Sequence, residues 1–385
     1  MVKKIIVNSA RIVLALVLIL SGFVKAVDPL GTQYKIQDYL TAMQLGVGIP
    51  EFMALGASVL LSAFEFVLGV CLLFAIQRRL VTRLTLLMML IMTPLTLWLA
   101  LTDPISDCGC FGDALVLTNW QTFGKNVVLL VLAVIVSLWP MDMNRFISRS
   151  NQWILLNFTA IFILVVSGWS LYNLPYFDFR PYHIGTDLRT NWQKTMDGEE
   201  LPYTDFFVER ADNGEDITEE LLSHQGYTFL LVSPHLEQAD DSQLDLINQI
   251  FEYAEDNGYP FYCLTASNEE GISGWCDRTG ADYPFCLTDE IALKTVIRSN
   301  PGLVLLKDGV IIRKWSHNRF PDEYALSGRL EDIGLGQMPN DSIPGKIFAI
   351  VLWYILPLVL LVIADRLWSR YKKKQKSLHA ENKTE

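Results

Sequence analysis

Six long apolar runs dominate the pattern of hydrophobic and polar positions along the chain. Each run holds about twenty residues and few charges, which is the length that an α-helix needs to cross a bilayer. The runs cover residues 5–27, 52–76, 80–101, 120–139, 153–174 and 347–368. The pattern therefore predicts a membrane α-helical protein with six spans that contact the lipid bilayer.

The first run has one feature of a secretory signal peptide, because Lys3 and Lys4 precede it. It is nevertheless longer than the apolar region of a typical signal peptide, and no small-residue cleavage site follows it. Asp28 and Pro29 end the run instead. We therefore interpret the first run as a retained transmembrane helix.

Basic residues at the ends of the runs predict the orientation of the helices. They are Lys3, Lys4, Arg78, Arg79, Arg83, Arg145, Arg149, Arg366, Arg370 and the lysine-rich tail. With six spans, all of them fall on one side of the membrane, which is then the cytoplasmic side. Both termini are predicted to be cytoplasmic, and residues 28–51, the loop after the third run and the segment between the last two runs face the opposite side. In a bacterial inner membrane that side is the periplasm.

Charge divides the chain into two parts. Residues 172–343 hold 12 Lys/Arg and 31 Asp/Glu, whereas the remaining residues hold 19 and 11. The basic residues lie at the ends of apolar runs, and the acidic part would repel phosphate, which excludes a nucleic-acid partner. The chain is therefore predicted to combine a basic membrane part with an acidic soluble domain.

Short apolar runs and helical periods alternate in the acidic segment and predict an α/β domain. Strands are expected at 204–208, 227–232 and 260–264, helices at 240–257 and 289–298, and a hairpin at 303–306 and 310–315. The segment from Asn300 to Gly309 resembles thioredoxin, in which a cis-proline opens a strand, with Pro301 in that place. Where thioredoxins carry C-x-x-C, this chain reads Ser233-Pro234-His235-Leu236, so the domain lacks the nucleophile of that family.

Two cysteines separated by one glycine lie in the polar gap after the third apolar run. They are Cys108 and Cys110, in the sequence S-D-C-G-C-F-G-D over residues 106–113. A disulfide between them would close a small, strained ring, and strained disulfides tend to be the labile, catalytic ones. The pair is thus a candidate redox centre, with a structural turn as the alternative. Too few further ligands accompany the pair for a metal site.

Glu65 lies in the middle of the second apolar run. Ionisable groups at such positions are rare and usually face a partner or a cavity. Arg11 in the first run is one candidate partner, and Lys25 near the end of the same run is another. Glu65 accordingly either ties the first two spans together, as half of an ion pair or as a protonated acid, or has a direct catalytic role near the site of a quinone-like cofactor.

The first 140 residues resemble the DoxX/MauE family of four-helix membrane proteins. The resemblance is carried by Ser21-Gly22-Phe23-Val24-Lys25, by Asp28-Pro29, by Glu65 and above all by the cysteine motif. It implies a four-helix unit linked to periplasmic sulfur or disulfide chemistry. DoxX proteins are associated with thiosulfate and quinone oxidoreduction, and MauE with maturation of a disulfide-rich subunit of methylamine dehydrogenase. The fifth span, the soluble domain and the sixth span are additions to that family.

The sequence predicts a division of the chain into six parts. They are a bundle at 1–140, a fifth span at 141–175, a linker at 176–203, a thioredoxin-like periplasmic domain at 204–335, a sixth span at 344–368 and a basic cytoplasmic tail at 369–385. Cys276 and Cys286 could pair in an oxidising compartment; buried free thiols and exchange with the Cys108/Cys110 pair are the alternatives.

Three functions remain open on this sequence. The first is an inner-membrane thiol/disulfide oxidoreductase, in which Cys108 and Cys110 exchange electrons between a periplasmic protein and a membrane acceptor such as a quinone. The second is a non-enzymatic membrane-anchored binding or assembly module that uses the degenerate thioredoxin-like domain. A transporter is the third, and it rests only on Glu65 and the six spans.

Overall fold

A computed structural model of the chain describes residues 1–44, 49–105, 108–197, 206–340 and 342–381. The helices in chain order are α1 (Val2–Val27), α2 (Pro29–Ala42), α3 (Glu51–Phe74), α4 (Arg78–Thr102), α5 (Asn119–Leu138), α6 (Gln152–Tyr172), α7 (Leu188–Met196), α8 (Thr218–Ser223), α9 (Leu244–Asn257), α10 (Glu269–Thr279), α11 (Glu290–Val296), α12 (Ile343–Ile350) and α13 (Leu356–Glu381). The strands are β1 (Glu209–Arg210), β2 (Tyr227–Ser233), β3 (Phe261–Thr265), β4 (Phe285–Leu287), β5 (Gly302–Lys307) and β6 (Val310–Ser316). They form two compact units, a membrane unit of residues 1–168 with 342–385 and an α/β unit of residues 169–341.

The membrane unit confirms the prediction of a multi-pass membrane protein. Among the described residues, six helical segments are long and apolar enough to cross a bilayer. Five of them are α1, α3, α4, α5 and the segment Arg149–Tyr172 that contains α6. The sixth, Ile343–Lys372, joins α12 to α13 through a π-helical turn at Val351–Ile355. Tyr354 in that turn stacks on Phe162 of α6, with the ring centroids 4.2 Å apart.

Two glycines let α1 and α3 approach each other closely. A Cβ atom added at Gly22 would lie 2.4 Å from the backbone nitrogen of Phe66, and one added at Gly69 would lie 2.8 Å from that of Ile19. Small residues at a helix interface allow backbones to touch in this way, which is a common mode of packing within membranes. The contact fixes which side chains of α1 lie level with which side chains of α3.

Helix α2 occupies a stretch in which the apolar pattern predicts no helix. Asp28 caps it, because one carboxylate oxygen accepts a hydrogen bond of 3.0 Å from the backbone N–H of Gly31. Pro29 takes the first helical position, where its missing N–H costs nothing. The hydroxyl of Ser58 donates to the carbonyl of Pro29 at 2.6 Å. α2 therefore runs beside the first half of α3, so that the end of α1 meets α3 near its middle.

Polar contacts define one end of the membrane unit. Lys3 forms an ion pair of 3.1 Å with Asp142 in the loop after α5. Arg11 donates at 2.6 Å to the carbonyl of Asn144, and its guanidinium lies 5.2 Å from the centre of the Phe146 ring. Arg78 at the start of α4 donates to the carbonyls of Met141 and Met143 in the same loop. These contacts gather the starts of α1 and α4 and the loop after α5 at one end. The cysteine loop between α4 and α5 therefore lies at the other end.

The α/β unit is built on a six-stranded mixed sheet with the strand order β1-β4-β3-β2-β5-β6. β2, β3 and β4 are mutually parallel, whereas β5 is antiparallel to β2 and forms a hairpin with β6. The peptide bond between Asn300 and Pro301 is cis and directly precedes β5. Three parallel strands followed by an antiparallel hairpin with this proline make up the predicted thioredoxin-like arrangement.

Hydrophobic clusters cover both faces of this sheet. One is centred on Trp275, Phe229 and Leu305, and the other on Leu230, Val304 and Cys286. Part of the segment predicted as a linker belongs to the second cluster, because Tyr182 and Leu188 are buried in it. In the same segment Arg180 is 2% exposed and forms an ion pair with Asp178, which also contacts Lys314.

The predicted elements of the α/β unit agree with those observed apart from the first strand. Its residues 204 and 205 lie outside the described residues, and 206–208 are not in a strand, which instead covers Glu209–Arg210. The helix predicted at 240–257 begins later, at Leu244. Boundaries of this kind depend on caps and on pairing with neighbouring strands, and apolar periodicity does not report them.

Candidate functional site

The cysteine loop joins the end of α4 to the start of α5. Cys108 and Cys110 are partly buried, and their sulfur atoms lie 2.8 Å apart. Gly109 between them has a φ of +64°, and a Cβ at that position would lie 3.0 Å from Cγ of Lys35. Glycine adopts this left-handed conformation without the penalty that other residues incur. The turn at Gly109 brings the two sulfurs together. Ser106 and Asp107 of the predicted motif lie outside the described residues.

Two hydroxyl groups hold the loop on the bundle. Tyr39 of α2 donates a hydrogen bond of 2.7 Å to the carbonyl oxygen of Cys108. Ser21 of α1 lies 2.8 Å from the carbonyl oxygen of Cys110. The backbone of both cysteines is therefore attached to helices that the sequence places far from them. Neither Tyr39 nor Ser21 was among the predicted site residues, although Ser21 belongs to the S-G-F-V-K motif.

Glu65 lies directly beneath this loop, paired with Lys25. The Lys25 ammonium is 2.7 Å from Oε1 and 2.9 Å from Oε2 of the carboxylate, and Ser21 Oγ is 2.7 Å from Oε2. Glu65 is 1% exposed and Lys25 is 8% exposed. Both members of the pair are thus removed from solvent, where a charge needs a partner and hydrogen bonds.

Arg11 is not the partner of Glu65. Its guanidinium donates to the carbonyl of Asn144 at the opposite end of the bundle. The sequence offered both Arg11 and Lys25 as candidate partners, and the structure selects Lys25. α2 fills the space beside the start of α3 and brings the last turn of α1 down to Glu65.

The two thiols have different electrostatic surroundings. A hydrogen bond from Cys108, followed by the ammonium groups of Lys125 and Lys25, lowers the pKa of Cys110 to about 6 although burial and Glu65 oppose the shift. The same hydrogen bond, together with burial, raises the pKa of Cys108. The Lys125 ammonium lies 4.4 Å from the centre of the Phe111 ring, which helps to hold it near the loop. Of the two thiols, Cys110 is accordingly the one whose surroundings favour the thiolate form.

This arrangement can support thiol chemistry. A thiolate is the nucleophile in disulfide exchange, and a second thiol beside it can release the mixed disulfide. Lys125 was not predicted from the sequence, and its position one to two turns into α5 carried no signal. The sequence identified Cys108, Cys110, Glu65 and Lys25, and the fold adds Ser21, Tyr39 and Lys125 to them.

The thioredoxin-like unit holds a different set of groups at the position of the missing C-x-x-C. β2 ends at Ser233, whose hydroxyl donates at 2.6 Å to the side-chain oxygen of Asn300. His235 follows it, with Nε2 3.0 Å from Oε1 of Glu290. The Asn300 amide donates at 2.8 Å to the carbonyl of His235. Hydrogen bonds in place of a thiol therefore tie this turn to the residue before Pro301.

Cys276 and Cys286 are not bonded to each other. All six cysteines are free among the described residues. Cys286 is buried in the cluster on one face of the sheet, whereas α10, which carries Cys276, packs through Trp275 into the cluster on the other face. Of the alternatives from the sequence, the structure therefore fits free thiols.

Comparison with known proteins gives a family match for the membrane region and matches to solved structures. Residues 3–140 match the family described as methylamine utilisation protein MauE. One of the matching structures is a solution structure of a candidate protein disulfide isomerase from Bacteroides thetaiotaomicron. The aligned part covers 34% of this chain and 83% of the isomerase chain, at 20% sequence identity and a TM-score of 0.26. No curated protein matches the chain. The chain thus joins a MauE-like membrane region to a thioredoxin-like domain, whose fold rests on its own strand order.

Proposed function

We propose that this protein is a membrane thiol/disulfide oxidoreductase in which Cys108 and Cys110 cycle between dithiol and disulfide. The observation that carries the proposal is the approach of the two sulfurs to 2.8 Å in a loop fastened to the bundle by Tyr39 and Ser21. The MauE-like membrane region supports a role in sulfur chemistry. The proposed location is a bacterial inner membrane with both termini in the cytoplasm and the cysteine loop and α/β domain in the periplasm, where disulfides persist.

Cys110 is the attacking group in this proposal, because its pKa is lowered while that of Cys108 is raised. The Cys110 thiolate attacks a disulfide of a periplasmic protein, so that one sulfur of that protein leaves as a thiolate. Cys108 then attacks Cys110, its proton passes to a departing thiolate, and the second sulfur leaves. The partner gains two electrons from the two cysteines, one proton from Cys108 and one proton from solvent, and the Cys108–Cys110 disulfide forms; the reverse sequence oxidises a partner.

The thioredoxin-like domain recognises the partner in this scheme without reacting with it. At its C-x-x-C position, Ser233 and Leu236 stand where the two cysteines would be, and neither can form a disulfide. His235 and Glu290 place a titratable pair at that turn instead. Partner proteins would therefore be bound by this domain and react at the cysteine loop.

A quinone remains the proposed membrane acceptor, but Glu65 is not suited to bind it directly. The Glu65 oxygens already face Lys25 and Ser21 at 2.7–2.9 Å. No step of the proposed reaction therefore takes place on a quinone bound at Glu65.

Trapping of the mixed disulfide tests the proposal. The variant Cys108→Ala keeps the attacking thiol and loses the releasing one, so it should accumulate a reducible adduct with a periplasmic protein in growing cells. Cys110→Ala and the double variant should accumulate none. Cys276→Ala is the matched control, since it changes a thiol of the α/β domain and should behave as the parent. Non-reducing gels of alkylated membranes report the adduct.

A non-enzymatic binding module is the second candidate, and the missing C-x-x-C favours it. In that case Cys108→Ala and Cys110→Ala both keep the function of the parent protein in cells, and neither accumulates an adduct. The redox state of Cys108 and Cys110 in cells would also be insensitive to respiration. Either outcome would refute thiol exchange at this loop.

A further inference from the structure

The hydroxyl of Ser21 faces two acceptors. Its oxygen lies 2.7 Å from Oε2 of Glu65 and 2.8 Å from the carbonyl oxygen of Cys110. A hydroxyl group has one proton to donate, whereas a carboxylate and a carbonyl only accept. With an ionised Glu65, one of these two short contacts would bring together two oxygens with no proton between them. That is unfavourable in a buried site, where an unmet acceptor is costly.

A proton on Glu65 satisfies both contacts at once. Oε2–H then donates to Ser21, and the Ser21 hydroxyl donates to the carbonyl of Cys110. Lys25 still donates to Oε1, at 2.7 Å. The hydrogen bonds would form a continuous chain from the carboxyl group to the backbone of the reactive cysteine.

Charged groups on several elements of the bundle act on Cys110. Lys25 lies on α1, Glu65 on α3 and Lys125 on α5, and all three act on Cys110 along with Cys108. α2 contributes Lys35, whose side chain packs against Gly109. If Cys110 loses its proton to solvent while Glu65 stays ionised, the buried cluster gains one negative charge. If the proton passes to Glu65, the total charge does not change, and Lys25 keeps an anionic neighbour.

We propose that Glu65 holds the proton which Cys110 gives up on becoming a thiolate, while Lys25 stabilises whichever of the two groups is the anion. The S–H bond of Cys110 breaks, an O–H bond forms on Glu65, and no electron moves in this step. This proton transfer deepens the proposed function, and the fate of the proton during exchange rests on that function. When Cys110 joins a mixed disulfide, its negative charge leaves with the partner's thiolate, and Glu65 returns the proton to that thiolate through solvent.

Infrared difference spectroscopy of the purified full-length protein in lipid nanodiscs tests the proposal. The spectrum of the reduced protein minus that of the oxidised protein should contain the carbonyl stretch of a protonated carboxylic acid, since only the reduced state holds the Cys110 thiolate. Glu65→Gln should remove this band. Cys110→Ala should remove it too, although it leaves Glu65 and Lys25 in place. Asp365→Asn, which changes another buried membrane carboxylate, is the matched control and should leave the band intact.

A pH profile supplies the second readout. Glu65→Gln leaves Lys25 with Cys110 as its nearest anion, so the midpoint of Cys110 alkylation by iodoacetamide should move to lower pH by about one unit, a tenfold change in the equilibrium. Lys25→Met should move it to higher pH. Absence of the band from the parent protein, or its persistence in Glu65→Gln, would overturn the proposal. A shift of the alkylation midpoint in the same direction in Glu65→Gln and Lys25→Met would overturn it too. Both measurements use the isolated protein, so they are independent of whether a partner is trapped in cells.

Discussion

Substitution of Gly22 by alanine tests how the bundle builds the site. The new Cβ would lie 2.4 Å from the nitrogen of Phe66 and 2.8 Å from the carbonyl oxygen of Ser62, both backbone atoms that cannot rotate away. Ordinary contact begins at 3.4 Å, so α1 must withdraw from α3 by roughly 1 Å. Overpacking of this kind costs about 1–3 kcal/mol. The higher helix propensity of alanine offsets at most about 1 kcal/mol of that cost.

The same displacement should damage the site. The contact between Ser21 and Glu65 is 2.7 Å, and lengthening by roughly 1 Å takes it beyond hydrogen-bond distance. We therefore expect Gly22→Ala to be destabilised by about 2 kcal/mol or more, given the further cost of a weakened buried ion pair. It should also change the alkylation rate of Cys110. Thermal unfolding of the full chain in detergent, followed by tryptophan fluorescence, measures the first effect.

Gly56→Ala is the control for this experiment. Gly56 lies in α3, and nothing lies within 4 Å of an added Cβ. Alanine should therefore stabilise the helix there by about 0.5–1 kcal/mol. The reasoning fails if Gly22→Ala unfolds at the same temperature as Gly56→Ala, or if it keeps the alkylation rate of the parent.

Further predictions concern charges and thiols. Burial lowers the pKa of Lys314 from 10.5 to about 7. Between these two pH values the unfolded chain binds more protons than the folded one, so the free energy of unfolding should rise with pH. Chemical unfolding at several pH values should show this rise in the parent protein and not in Lys314→Met. In the oxidised protein, where Cys110 carries no negative charge, Glu65→Gln should cost about 3–5 kcal/mol of stability because it leaves Lys25 as an unpaired buried cation. Chemical unfolding should show that a second change, Lys25→Met, relieves this loss, whereas Arg11→Gln does not. Cys276 should react with a thiol reagent in the folded protein, whereas mass spectrometry should find the buried thiols of the α/β domain labelled only after denaturation.

Much of the fold follows from local patterns in the sequence. The six spans are evident from length and apolarity, because lipid requires every backbone hydrogen bond to be made within the helix. The hairpin around Asp308 and Gly309 and the place of Pro301 are likewise local features. Helix α2 was missed, since its residues have neither a long apolar run nor a clear amphipathic period. It folds against α3, and this packing stabilises a helix that its own apolar pattern does not predict.

The candidate site likewise has features that follow from the sequence alone and features that depend on the fold. The sequence by itself determined that Cys108 and Cys110 share a polar loop, that Glu65 is buried in a membrane span, and that the thioredoxin-like domain has no C-x-x-C. Spacing along the chain is enough for each of these statements. The partner of Glu65 was decided only by tertiary structure. Close packing at Gly22 and the insertion of α2 set the level of α1 against α3 and so bring Lys25, rather than Arg11, to Glu65. The difference between the two thiols also comes from outside the loop, because Lys125 and Lys25 reach Cys110 from helices that only the folded bundle brings together.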